Sequence, residues 1–233
     1  MTGFWLRELR WGAVRPFGPA GVPSGIDKQP VSGPILAGPL GLSGDAQGDT
    51  RRHGGVDKAL HAYPVAHLPF WAAEIPQAAA RFRPGAFGEN LVIEGVIESD
   101  ICLGDRWQLG GAALEVSQGR QPCWKLNLRF NQPDMAQRVQ DTGRSGWYFR
   151  VLEAGTLAAG DTARLLARPN PGWTLARVSH LLYHDRLNRA ALAELAVLPG
   201  LPESWKRLTE ARLHTGRVED WAPRVETPTG GAA

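Results

Sequence analysis

The sequence predicts a mainly β chain, closed into a barrel or sandwich and followed by a small unit of three helices. Three observations carry that expectation. Short apolar segments recur between turn signals: Phe4 to Leu9, Asn90 to Ile93, Arg106 to Leu109, Ala113 to Val116, Trp147 to Leu152 and Ala163 to Leu166. Short strands at such spacing fit an antiparallel sheet that closes on itself. Glycine–aspartate pairs at Gly44-Asp45, Gly48-Asp49, Gly104-Asp105 and Gly160-Asp161 suit the tight corners of that sheet. Beyond Arg168-Pro169-Asn170-Pro171 the texture changes to helical spacing.

Leu175, Val178, Leu181 and Leu182 lie on one face of the first expected helix, and Leu192, Leu195 and Ala196 on the second. Glu203 to His214 supplies the third, with Trp205, Leu208 and Leu213 as its apolar positions. Pro199-Gly200 and Gly216 punctuate them. Such a unit is too small to build a large core alone, so it is expected to pack on the barrel. The division expected is a barrel domain over 1–170, a helical domain over 171–221, and a disordered tail over 222–233, where Pro, Gly and Ala dominate the end. One segment reads two ways. Trp124, Leu126, Leu128 and Phe130 alternate with polar residues as in a strand, yet Pro122 also suits the first position of a helix.

Composition narrows the function classes. Of 233 residues, 43% are hydrophobic and 21% charged, which argues against disorder of the whole chain. The formal charge is only +3, without a run of Lys or Arg, so a nucleic-acid partner is not expected. No apolar run is long enough to span a bilayer, and the charge pair Arg7-Glu8 comes too early for a secretory leader. The expectation is a cytoplasmic protein in which Cys102 and Cys123 are free thiols. Two cysteines without CxxC spacing do not make a zinc site.

The candidate chemistry centres on Arg120-Gln121-Pro122-Cys123-Trp124-Lys125. A thiol acts as nucleophile or soft-metal ligand only as thiolate, and neighbouring cations favour that form. A buried hydrophobe is the plain alternative for any cysteine. A second segment runs Arg51-Arg52-His53-Gly54-Gly55-Val56-Asp57-Lys58. Adjacent glycines let backbone amides approach an anion, and arginines match phosphate oxygens in pairs. Gly85-Ala86-Phe87-Gly88-Glu89-Asn90 and Thr142-Gly143-Arg144 are further loops able to present polar groups to a heterocycle or an anion. Each of these three segments, taken alone, is equally well an ordinary turn.

Taken together the blocks resemble the MOSC domain family, the molybdenum cofactor sulfurase C-terminal domain, in its YiiM-like branch. The resemblance runs through His53-Gly54-Gly55-Val56-Asp57-Lys58, Tyr63-Pro64, Gly85-Ala86-Phe87-Gly88-Glu89-Asn90-Leu91, Cys102-Leu103-Gly104-Asp105, Val116-Ser117-Gln118 with Arg120-Gln121-Pro122-Cys123, and Thr142-Gly143-Arg144 with Gly146-Trp147-Tyr148, in the family's order. The three-helix unit resembles the small domain that follows MOSC in this branch. Two departures stand out: Pro69, inside a segment where the family looks helical, and Gly119, where relatives often carry proline.

What the resemblance implies is a MOSC-type β-barrel that binds a molybdenum cofactor (molybdopterin), with Cys123 as the protein ligand to the metal. Arg51, Arg52, Lys58, Arg120 and Arg144, with Gly54 and Gly55, are then candidates for the cofactor's phosphate. Gly88, Glu89 and Asn90 are candidates for its pterin edge, and His53 for positioning a proton. Relatives of this architecture reduce N-hydroxylated compounds, including hydroxylaminopurine-type base analogues and amidoximes. No flavin, haem or iron–sulfur motif is visible, so the electrons would come from a separate reductase. Two other readings stand beside this one: a sulfur transferase that carries a persulfide on Cys123, and a non-enzymatic cofactor carrier.

Overall fold

The computed structural model describes residues 3–228. Seven strands close a barrel in the order Thr162–Ala167, Arg106–Leu109, Ala112–Gly119, Trp147–Glu153, Leu60–Pro64, Leu91–Glu94 and Gly3–Trp11, and the last pairs back onto the first. All these pairings are antiparallel except that of Leu60–Pro64 with Leu91–Glu94. The first strand shows how sequence sets register. Phe4 and Leu6 point inward, then a bulge between Leu6 and Glu8 shifts the phase so that Leu9 points inward as well. One extra residue thereby keeps an imperfect alternation on the core side.

Phe4, Trp107, Trp147 and Phe149 fill the barrel, with the Phe4 and Trp107 rings 5.0 Å apart. A second cluster lies outside it, where Tyr63 stacks on Phe87 at 4.1 Å and Phe82 on Phe130 at 4.5 Å. This cluster seats the helix Lys125–Phe130, whose Leu126 and Phe130 are fully buried one turn apart. Burial of such side chains contributes about 1.5–3 kcal/mol each. The ambiguity after Cys123 is thus resolved as a helix that starts at Lys125 rather than at Pro122. Leu126 and Phe130 serve the four-residue spacing of a helix as well as the alternation of a strand. Asn131, at φ 53°, ends the helix in the left-handed region.

All six segments expected as strands form strands. Leu60–Pro64 is a strand the sequence does not announce. All five of its residues are buried, so no alternation marks it. Three of the four glycine–aspartate pairs make turns, with Gly44, Gly104 and Gly160 at positive φ. Gly48-Asp49 instead starts a short helix, Thr50–His53, whose first amides donate to the Asp49 carboxylate. Pro69 delays a helix start: Leu68–Glu74 carries it in its first turn, after the single turn Val65–His67.

The helices Leu175–Tyr183, Arg189–Ala196 and Glu203–Thr215 share a core of Val178, Leu181, Leu192, Leu195 and Trp205 that includes Leu103 from the barrel side. The tail departs from expectation. Residues 222–225 form a short helix, and hydrogen bonds from 224, 225 and 227 reach the segment around Cys123. Composition alone does not reveal those tertiary partners. Residues 229–233 of the expected tail lie outside the described residues.

Candidate active site

Cys123 sits where the chain leaves the barrel. The strand Ala112–Gly119 ends, and four residues with no regular structure intervene before Trp124 leads into the helix Lys125–Phe130. The Arg120 amide donates to the Gly146 carbonyl at 2.9 Å, which ties this passage to the start of the neighbouring strand. The Leu126 amide donates to the Cys123 carbonyl at 3.0 Å. Gly146 is fixed by need. It has φ +69°, and a Cβ there would lie 2.2 Å from the Ala62 carbonyl oxygen. Gly146→Ala is therefore expected to cost about 3 kcal/mol or more. A urea unfolding midpoint equal to wild type would refute that close contact.

The Cys123 thiol is half-exposed and faces a cavity at the barrel mouth. Lys58, Lys125, Arg120, His53, His61 and Tyr148 converge on the same cavity. Its other wall is the loop from Ser24 to Lys28 and the loop from Ala46 to Gly48. Gly25 and Gly48 allow those loops to meet: a Cβ on Gly48 would lie 2.1 Å from the Pro23 carbonyl oxygen.

The cavity is strongly cationic. Burial pushes the Lys58 and Lys125 ammonium groups below their ordinary pKa, and a thiolate at Cys123 opposes that shift in both. Burial, with Lys125, Arg120 and Lys58 adding to it, lowers His53 to about 4. Burial lowers His61 to about 3, with Arg120 pushing the same way. Both imidazoles are therefore neutral at pH 7. Lys58 Nζ donates to the Arg52 carbonyl at 2.5 Å and Lys125 Nζ to the Pro23 carbonyl at 3.0 Å. Arg120 is buried, and its Nη1 has no hydrogen-bond partner among the described residues. Arg120 stands between this cavity and a small closed pocket lined by Glu98, Ser145 and Trp205, and an unpaired guanidinium nitrogen there is costly.

Six residues expected at the site from sequence meet at this cavity: His53, Lys58, Gly88, Asn90, Arg120 and Cys123. The others do not. Arg51 and Arg52 are exposed, Arg52 bordering a groove beside the cavity, and Gly54 and Gly55 form the turn that leads to Lys58. Glu89 turns away from the cavity and accepts from the Gly85 and Phe87 amides at 2.6 and 3.0 Å. Its task is to shape the loop that presents Gly88. Arg144 points elsewhere, its guanidinium 4.1 Å above the Phe70 ring and 3.3 Å from His67 Nδ1. Asn90 borders the cavity with its amide already engaged. It accepts from the His61 amide and donates to Asp45 and to the Arg10 carbonyl.

Lys28, His61, Lys125 and Tyr148 are cavity residues that sequence reasoning does not assign. His61, Lys125 and Tyr148 adjoin the motif blocks and are within reach of such reasoning. Lys28, paired with the buried Asp45 carboxylate, comes from a loop without a motif, and only tertiary structure brings it in. Beside the cavity runs a groove of about 740 Å³, bordered by Pro23, Trp124 and Pro223, which shares Gly48, His53 and Lys125 with it.

A family model described as the MOSC domain matches residues 49–164. The chain is 38% identical over 207 residues to the protein YiiM of Escherichia coli (strain K12), across 89% of this chain and 92% of that one. The chain belongs to the MOSC family. A second model, described as a YiiM-like 3-alpha helix domain, matches residues 173–216. The crystal structure of YiiM from Geobacillus stearothermophilus superposes with a TM-score of 0.77 at 35% identity, across 90% of this chain and 99% of that one. A protein of Gibberella moniliformis named "Reductase" is 38% identical over 196 residues, 83% of this chain but 35% of its own length. The MOSC match includes Cys123 and every cationic or imidazole group of the cavity except Lys28.

Among the described residues no group of three or more His, Cys, Asp or Glu side chains is placed to hold a metal ion, and no helix is long and apolar enough to cross a membrane. The donor set instead fits a metal brought in by an anionic organic cofactor. One soft sulfur donor stands there as ligand, with two lysines and an arginine around it.

Proposed function

We propose that this MOSC protein binds a molybdenum cofactor at the Cys123 cavity and reduces N-hydroxylated compounds with electrons from a separate reductase. The observation that carries this reading is a single cavity in which a partly exposed thiol stands among two lysines and a buried arginine. The similarity to a fungal protein named "Reductase" supports the reaction class.

Cys123 would hold the metal, and coordination keeps its sulfur deprotonated. Arg120, Lys58 and Lys125 would hold the anionic oxygens of the cofactor, as charge-assisted donors in a place shielded from water. Gly88 would let a flat ring system approach the loop closely. When bound, the molybdenum centre supplies the two-electron chemistry that removes oxygen from nitrogen. His53 has one proton on its neutral ring in the ligand-free cavity. Burial chiefly, and the neighbouring cations with it, depress its pKa; anionic charge beside it offsets the cations, so a second proton becomes easier to hold where a hydroxyl oxygen leaves as water. Trp124 and Pro223 give the adjoining groove flat apolar sides, suited to the approach of a planar substrate.

The test is turnover of a hydroxylaminopurine or an amidoxime by cofactor-loaded protein with a reduced viologen dye as electron donor. Multiple turnovers to the amine or amidine support the reading. Loaded protein that gives none refutes it and leaves the persulfide and carrier readings.

A further inference from the structure

Residues 120–123 belong to neither strand nor helix, so the backbone of Cys123 takes its conformation from whatever bonds its flanking peptide groups. Both of those groups are bonded to one residue. Arg224 Nη1 donates to the Pro122 carbonyl at 2.5 Å, and the Trp124 amide donates to the Arg224 carbonyl at 2.7 Å. Arg224 therefore brackets Cys123 from the far end of the chain, 102 residues beyond Pro122, with one bond on the peptide before the cysteine and one on the peptide after it.

The bracket is itself anchored. Arg224 Nη2 donates to the Gln140 side-chain oxygen, and Asn127 Nδ2 donates to the Val225 carbonyl at 2.8 Å. Upstream, the buried Arg212 of the third C-terminal helix donates to both carboxylate oxygens of Glu219 at 2.9 and 2.7 Å. Glu219 also accepts from the Trp221 indole, whose ring packs edge-on against Tyr183. The path runs from the three-helix unit, through Glu219 and Trp221, to Arg224 and the thiol turn.

We propose that Arg224 is a positioning residue: it fixes the Pro122–Trp124 turn so that the Cys123 sulfur faces the cationic cavity, and it conveys to that turn the support of the three-helix unit. The role in catalysis rests on the function proposed above, whereas the bracket itself does not. A guanidinium suits the task because it bonds a backbone carbonyl and a side-chain amide oxygen at once in a fixed plane.

The test uses full-length Arg224→Ala and Arg224→Lys, with Arg217→Ala, an exposed arginine of the same C-terminal connection, as a control. In cofactor-free protein, the rate at which iodoacetamide alkylates Cys123 is followed by peptide mass spectrometry. Arg224→Ala is expected to raise that rate at least fivefold as the turn opens, while the buried Cys102 stays unmodified. Arg224→Lys, which keeps a donor for the Pro122 carbonyl, should restore most of the protection, and Arg217→Ala should match wild type. In loaded protein, Arg224→Ala should lower kcat about tenfold with KM little changed. Unchanged alkylation in Arg224→Ala would overturn the proposal. So would modification of Cys102 alongside Cys123, or failure of Arg224→Lys to rescue, since either marks a general loss of structure. Absence of turnover in wild type would count against the proposed function and leave the alkylation result standing.

Discussion

Cys123→Ala is expected to reduce turnover of N-hydroxylated substrates by about 10³-fold or more, the scale seen when a group that acts on the reacting centre is removed. Folding should be almost untouched, because the side chain is half-exposed at the cavity and leaves no void in the core. Cys102→Ala is the informative contrast. That thiol is fully buried, and its Sγ lies 3.6 Å from the Pro171 carbonyl at the junction with the helical unit. Its loss should cost about 1 kcal/mol of stability through lost packing, with kcat unchanged. Steady-state kinetics and urea unfolding on the two variants separate the roles. Equal turnover by wild type and Cys123→Ala would remove the thiol from the mechanism.

Acid should destabilise the protein steeply between pH 6.5 and about pH 3, with His61 as the main cause. Its folded pKa of about 3 lies below the ordinary value of 6.5, so the unfolded chain binds the proton first. The stability that goes with a neutral His61 is fully present above pH 6.5 and is lost as pH falls through 3. The limiting contribution is on the order of 5 kcal/mol. His53, at about 4, acts in the same sense. Glu89 acts in the opposite sense. Burial raises its folded pKa, so its contribution is present below pH 4.5 and lost as pH rises. Urea midpoints from pH 7 to pH 4 should fall, and His61→Asn should flatten the fall. An unchanged slope in that variant would show that another group drives acid unfolding.

What could be read from the chain follows from how local each signal is. Strands such as Arg106–Leu109 alternate along their own length, so their burial is written in the sequence. Leu60–Pro64 is buried on both faces and sits beside a parallel neighbour, which erases that signal. The same logic divides the site. Cys123, His53, Lys58 and Arg120 stand in blocks dense with glycine, proline and charge, and the structure brings them to one cavity. Arg51, Arg52 and Arg144 stand in equally suggestive blocks, yet the first two stay exposed on the surface and Arg144 is held aside by Phe70 and His67, residues far from it in sequence. Lys28 and Arg224 carry no local mark at all. Their place at or behind the cavity exists only through Asp45 in one case and the Pro122–Trp124 turn in the other.

The most direct test of a thiol-anchored molybdenum cofactor is metal content. Wild type and Cys123→Ala would be made in a host shown to supply the cofactor, purified side by side, and assayed for molybdenum by elemental mass spectrometry. Near one molybdenum per chain in wild type, and little or none in the variant, is the predicted result. Equal molybdenum in both, or none in wild type from that host, would contradict the assignment of Cys123 as the ligand.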